Sequence, residues 1–108
     1  MDFSLEDRKI IEEKAEILKA ISHPIRLCIV NGLILTPCCT VNKIQSCLGL
    51  PQSTISQHLI RLKNSGIVTG ERDGTEVRYR VINQDVVDII NCILADLQSR
   101  KLKEAVGK

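Results

Sequence analysis

The hydrophobic period of this chain changes at Ser65-Gly66, and few folds accommodate that change. Upstream, Ile55, Leu59 and Leu62 recur at i, i+4 and i+7, which is one face of a helix. Downstream, Val68, Val77, Tyr79 and Val81 flank Arg72-Asp73-Gly74-Thr75. β-branched and aromatic residues on both sides of an Asp-Gly pair predict a hairpin. A short helix over about Val41 to Leu48, ended by Gly49, precedes the helix that Pro51 opens. Two short helices joined through a glycine-centred turn and followed directly by a two-stranded hairpin define a winged helix-turn-helix.

The flanks read as helix. Ile10, Ile11, Ile17, Leu18 and Ile21 set an amphipathic helix over residues 5 to 21. Ser22 is placed to cap a second helix, which runs from Pro24 to about Ile34 before Thr36-Pro37 stops it. Val86, Ile89, Ile90, Ile93 and Leu97 mark one last helix after Asn83, fading into a polar tail at residues 99 to 108. The fold class is therefore mainly α with a small β-hairpin wing, one domain over residues 1–108 with its core within 5–98, because 108 residues leave no room for a second core. The acidic start Met1 to Asp7 has no apolar signal core, and no apolar run approaches the ~20 residues of a membrane span, so a cytoplasmic chain with no membrane partner is expected.

Charge is distributed unevenly. No Asp or Glu lies between Glu16 and Glu71, while that stretch carries Lys19, Arg26, Lys43, Arg61 and Lys63. Such a block approaches a polyanion without self-repulsion. Opposite the apolar stripe of the fourth helix stand Ser53, Thr54, Ser56, Gln57, His58 and Arg61. Short hydrogen-bonding groups with a cation further along are what a DNA major groove requires. In the wing, Arg72 and Arg78 are candidate backbone or minor-groove contacts, with Asp73 and Glu76 diluting the charge there. Aromatic residues make up only 2% of the chain, which argues against recognition by stacked bases. No catalytic Ser/His/Asp set, phosphate loop or Cys-x-x-Cys is present, so an enzyme is not expected.

Four segments in order carry a resemblance: Ala20-Ile21-Ser22-His23-Pro24-Ile25-Arg26-Leu27, Leu50-Pro51-Gln52-Ser53-Thr54-Ile55-Ser56-Gln57-His58-Leu59, Leu62-Lys63-Asn64-Ser65-Gly66-Ile67-Val68, and Arg72-Asp73-Gly74-Thr75 through Tyr79-Arg80-Val81. The chain resembles the ArsR/SmtB family over about Leu18 to Leu97. The resemblance implies a homodimer packed through the first and last helices, bound to an inverted-repeat operator in double-stranded DNA and released by an inducer. The broad apolar face of the last helix (Val86, Val87, Ile89, Ile90, Ile93, Leu94, Leu97) suits such a seam.

The family senses inducers through grafted side chains, and this chain departs from each pattern. Its last helix has Asp85, Asp88 and Asp96 but no histidine for a zinc site. Thr40 and Asn42 stand where a Cys-Val-Cys would bind soft metals, with Cys38 and Cys39 just upstream. Cys28 and Cys92 lie on the two helices that carry an oxidant- or sulfur-sensing pair, but Asn31 occupies the usual second-helix position. Five cysteines, an odd count, point to reduced thiols. Cys47 reads as core, whereas Cys28, Cys38, Cys39 and Cys92 are the candidate sensing thiols. Reactive sulfur, an oxidant, or arsenite or another soft metal held by Cys38 and Cys39 are the candidate inducers, and no cofactor is required. The competing expectations are a protein-binding winged helix and a constitutive DNA binder with purely structural cysteines.

Overall fold

The structure, a computed structural model, describes residues 2–106. Helix α1 (Leu5–Ile21) begins with a reciprocal cap: Asp7 N–H donates to Ser4 Oγ and Ser4 N–H to the Asp7 carboxylate, both at 3.1 Å. Only Ala20 and Ile21 of this helix are buried, so most of α1 stands away from its own core. Helix α2 (Pro24–Leu35) is capped by His23, whose Nδ1 accepts the Ile25 N–H at 3.1 Å. The expected cap, Ser22, instead turns back and donates to the Leu18 carbonyl at 2.6 Å. His23 has the extended backbone of a capping position, and that conformation decides which residue does the capping.

Strand β1 (Cys39–Thr40) follows, then α3 (Val41–Leu48), capped by Thr40 Oγ1 on the Lys43 N–H and ended by Gly49 at φ 66°. Helix α4 (Gln52–Asn64) leads into β2 (Val68–Asp73) and β3 (Glu76–Val81), joined by Gly74-Thr75. All pairings are antiparallel, in the order β1-β3-β2, so the wing is the outer part of a three-stranded sheet rather than an isolated hairpin. At Gly70, a Cβ would stand 2.9 Å from the ring of its cross-strand partner Tyr79 and 2.8 Å from Val77. Only glycine lets that ring close over the strand.

The chain ends in two helices where the sequence pattern reads one: α5 (Gln84–Ile93), capped by the Asn83 side chain, and α6 (Ala95–Val106). The bend is at Leu94, which packs on the core, and the polar stretch after Ser99 continues as helix. The bend carries Gln98 over α2, where its Nε2 donates to Asn31 Oδ1 at 2.9 Å and to Asn91 Oδ1 at 3.0 Å. Asn31 is the one buried polar residue among those described, and this bond satisfies it.

The core gathers the inward stripes of α2 (Ile29, Val30, Leu33), α4 (Ile55, Leu59, Leu62) and α5 (Val86, Ile90) around Ile44, Ile67 and Val68. The molecule is elongated, 53 × 35 × 21 Å, with a radius of gyration of 15.5 Å. A compact chain of this length has about 13 Å. Phe3, Leu5, Ile10, Ile11 and Leu18 along the N-terminal arm, together with Ile93 on α5, remain exposed. No single helix among the described residues is long and apolar enough to cross a membrane.

Candidate nucleic-acid interface

The fully buried Ile55 and Leu62 and the nearly buried Leu59 hold α4 on the core, which fixes the face it turns outward. Ser53, Gln57, Ile60 and Asn64 are exposed and recur at i, i+4, i+7 and i+11, the centre of that outer face. Thr54 and Ser56 flank it, half-buried. Sequence reasoning missed two members of this line. Ile60 is 57% exposed, the type of group that meets a thymine methyl, and Asn64 closes the line one turn later. Extending the helical spacing onward from Ser53 would have found both.

His58 and Arg61 sit on the edges of α4 rather than at the centre of this face. The His58 ring lies against α2, 4.6 Å from the His23 ring, and its Nδ1 is 3.3 Å from Arg26 Nη1. Arg26 is itself anchored by donating from Nε to the Ala20 carbonyl. Burial, followed by the neighbouring His23 and the Arg26 guanidinium, holds His58 below the usual histidine range. The Arg61 guanidinium donates to Ser65 Oγ at 2.7 Å and borders a hollow shared with Glu13 and Glu16 of α1.

The His58 geometry has a pH consequence. With a lowered folded-state pKa, the folded chain binds fewer protons at this site than the unfolded chain does. The site's stabilisation is therefore complete above about 6.5 and is lost as pH falls below it. Denaturant-measured stability is expected to fall more steeply between about pH 7 and 5 in the natural chain than in His58→Gln. Identical slopes would show that this imidazole is not the group responsible.

In the wing, three arginines have different surroundings. Arg78 donates from Nε to Asp73 at 3.1 Å and from Nη1 to the Cys38 carbonyl at 3.2 Å, with Glu76 3.6 Å from Nη2. It therefore braces the wing to the segment before β1. Arg80 faces Glu71 at 3.7 Å, while Arg72 is exposed and has no ion-pair partner among the described residues.

The thiols are arranged differently from the pattern read in the sequence. Cys39 is not a bare loop residue: it is half-buried in β1, paired with Tyr79, and donates from Sγ to the Thr36 carbonyl at 3.0 Å. Burial, followed by the nearby Cys47 thiol, pushes Cys39 up despite the Lys43 ammonium. Cys38 is exposed at φ 63°, a left-handed conformation uncommon outside glycine. Cys47, expected in the core, is exposed. It lies about a quarter turn from the centre of the Val41, Ile44 and Leu48 stripe, beyond the part of α3 that packs inward. Cys28 and Cys92 are exposed on α2 and α5. Among the described residues no three His, Cys, Asp or Glu side chains converge as metal ligands.

A recognition helix with an acid-free outer face, polar except at Ile60, and a wing beside it defines a winged helix-turn-helix regulator. The family profile described as bacterial regulatory protein, arsR family, matches residues 23–69, from the α2 cap into β2. The transcriptional repressor PagR of Bacillus anthracis is 40% identical over 83 residues, covering 77% of this chain and 83% of PagR. Its crystal structure superposes with a TM-score of 0.74 at 38% identity, over 80% of this chain and 98% of that one. The transcriptional repressor SmtB of Mycobacterium tuberculosis is also 40% identical over 83 residues, and the match spans 77% of this chain but 61% of SmtB's length. A homodimeric winged helix-turn-helix DNA-binding domain from Mycobacterium bovis, solved in solution, has a TM-score of 0.75 at 25% identity, over 94% of this chain and 93% of that one. The chain belongs to the ArsR family of bacterial regulatory proteins.

Proposed function

We propose that this chain is a DNA-binding transcriptional repressor that acts as a homodimer on an inverted-repeat operator. The observation that carries the reading is the outer line of α4, where Ser53 and Gln57 stand exposed in a stretch with no acidic side chain. In this reading Gln57 pairs with an adenine edge and Arg72 meets a phosphate, supported by Arg72 having no ion-pair partner among the described residues. Thr54, Ser56, His58, Arg61 and Arg78 border the contact surface. Of these, His58, Arg61 and Arg78 are already engaged within the chain, so they shape the surface more than they add free donors.

The repressor is released when its thiols react with an inducer. Support comes from Cys28, Cys38, Cys47 and Cys92 being exposed free thiols on elements that frame the DNA-binding unit. Of the candidate inducers, a thiol-reactive species fits these positions better than arsenite or another soft metal, whose ligands would have to converge.

Gel-shift titration at fixed salt tests the reading. Gln57→Ala is expected to weaken operator binding by ~1–3 kcal/mol, about 5- to 150-fold, with relaxed preference at one base pair. Arg72→Ala is expected to weaken binding to all sequences alike and to reduce the slope of log affinity against log salt by about 1. Unchanged affinity in both variants would overturn it.

A further inference from the structure

Three of the five thiols, carried by three different elements, line one small cavity. Cys28 comes from α2, Cys39 from β1 and Cys47 from α3. The cavity measures about 120 Å³, and Ile29, Leu33, Ile44 and Leu48 make its walls. Lys43 stands at its border, one helical turn before Cys47 on the same face of α3. Hydrocarbon and sulfur walls offer a charged or strongly hydrated guest no replacement for its water, so they select a neutral one. An apolar cavity of ~150 Å³ takes benzene, so the space here holds about one six-membered ring. Thiols are soft nucleophiles, and among the described residues no group of three or more ligating side chains is arranged to hold a metal ion.

We infer that this cavity is a reaction site for a small, neutral α,β-unsaturated ketone, with Cys47 as the nucleophile. Cys39 is the weaker candidate because burial and its bond to the Thr36 carbonyl hold it as the thiol. Cys28 has Pro24 and Gly32 one turn away on its own helix and no cation there. Cys47 is exposed, with the Lys43 ammonium one turn away. In the reaction the Cys47 thiol gives its proton to solvent, and its sulfur forms a bond to the β-carbon of the enone. The π pair of the carbon–carbon double bond moves toward the carbonyl as an enolate. Lys43 or water then returns one proton to the α-carbon. The product is a thioether ketone, and no electron acceptor is consumed. An adduct seated between α2 and α3 displaces α3, the helix against which α4 packs; its effect on DNA rests on the repressor reading above.

The test uses the full reduced chain, 2-cyclohexenone as the neutral probe and acrylate as a charged one, with intact mass and peptide mapping. Cyclohexenone is expected to add once, at Cys47, at least about tenfold faster than at Cys38 or Cys92, while acrylate shows no such preference. Gly32 lines the cavity, and a Cβ added there meets nothing within 4 Å, so Gly32→Leu is chosen to narrow the space, with an unchanged circular dichroism spectrum as the check on its fold. That variant is expected to slow Cys47 alkylation about tenfold while leaving Cys38 and Cys92 unchanged. Equal rates at Cys47 and Cys38, or a Cys47 rate indifferent to Gly32→Leu, would overturn the site. Operator release by the singly alkylated chain supports the regulatory link, and undiminished binding by it overturns that link. If the untreated chain binds no duplex at all, the repressor reading fails, and the alkylation map still decides the cavity.

Discussion

A chain carrying Ile10→Glu together with Ile93→Glu is expected to run as a monomer and to lose about 10²- to 10⁴-fold in operator affinity while keeping its fold. Both side chains are exposed, 54% and 59%, so neither substitution opens a cavity in the protomer. Their cost falls on whatever covers them. The N-terminal arm buries almost nothing within its own chain, and its apolar residues need an occupant; in the homodimer proposed above, a second copy packed through α1 and the last helices is that occupant. Two recognition helices in a dimer meet half-sites about 34 Å apart, and the second contact then forms at a high effective concentration. Sedimentation and gel-shift at one salt concentration check both halves. A natural chain that is monomeric at micromolar concentration, or a monomeric variant with full affinity, would remove the dimer from the argument.

The second large effect lies on the opposite side of the recognition helix. Leu62→Ala is expected to destabilise the fold by about 2–5 kcal/mol, because Leu62 is fully sealed in the core and its loss leaves a cavity. Against a total stability of about 5–15 kcal/mol, that lowers the thermal midpoint by many degrees. Gln57→Ala, five residues earlier and fully outward, is expected to change stability by less than about 0.5 kcal/mol. Calorimetry on the two variants separates the inward role of α4 from its outward one. A small loss at Leu62 would mean that the core closes over the missing side chain.

Much of this architecture was legible because local chemistry marked it. Pro24, Gly49 and the Ser65-Gly66 step bound helices whose limits in the structure differ from the sequence reading by a residue or so. What escaped was set by distant partners. Strand β1 is two residues long and exists only because β3 pairs with it, so Thr-Pro-Cys-Cys-Thr reads as loop. The bend at Leu94 comes from tertiary packing, with no glycine or proline to announce it. Within the candidate surface, polarity pointed to Ser53 and Gln57 but could not show that His58 leans on α2, that Arg61 folds onto Ser65, or that Ile60 belongs to the exposed line. Cys47 reads as inward beside its neighbour Leu48, but its angle on a short helix sends it to the edge.

Gln98 ties the C-terminal helix to α2 and α5 through uncharged amides alone. Neither bond titrates, and neither is screened by ions. The tie between the C-terminal helix and α2 is thus blind to acidity and ionic strength.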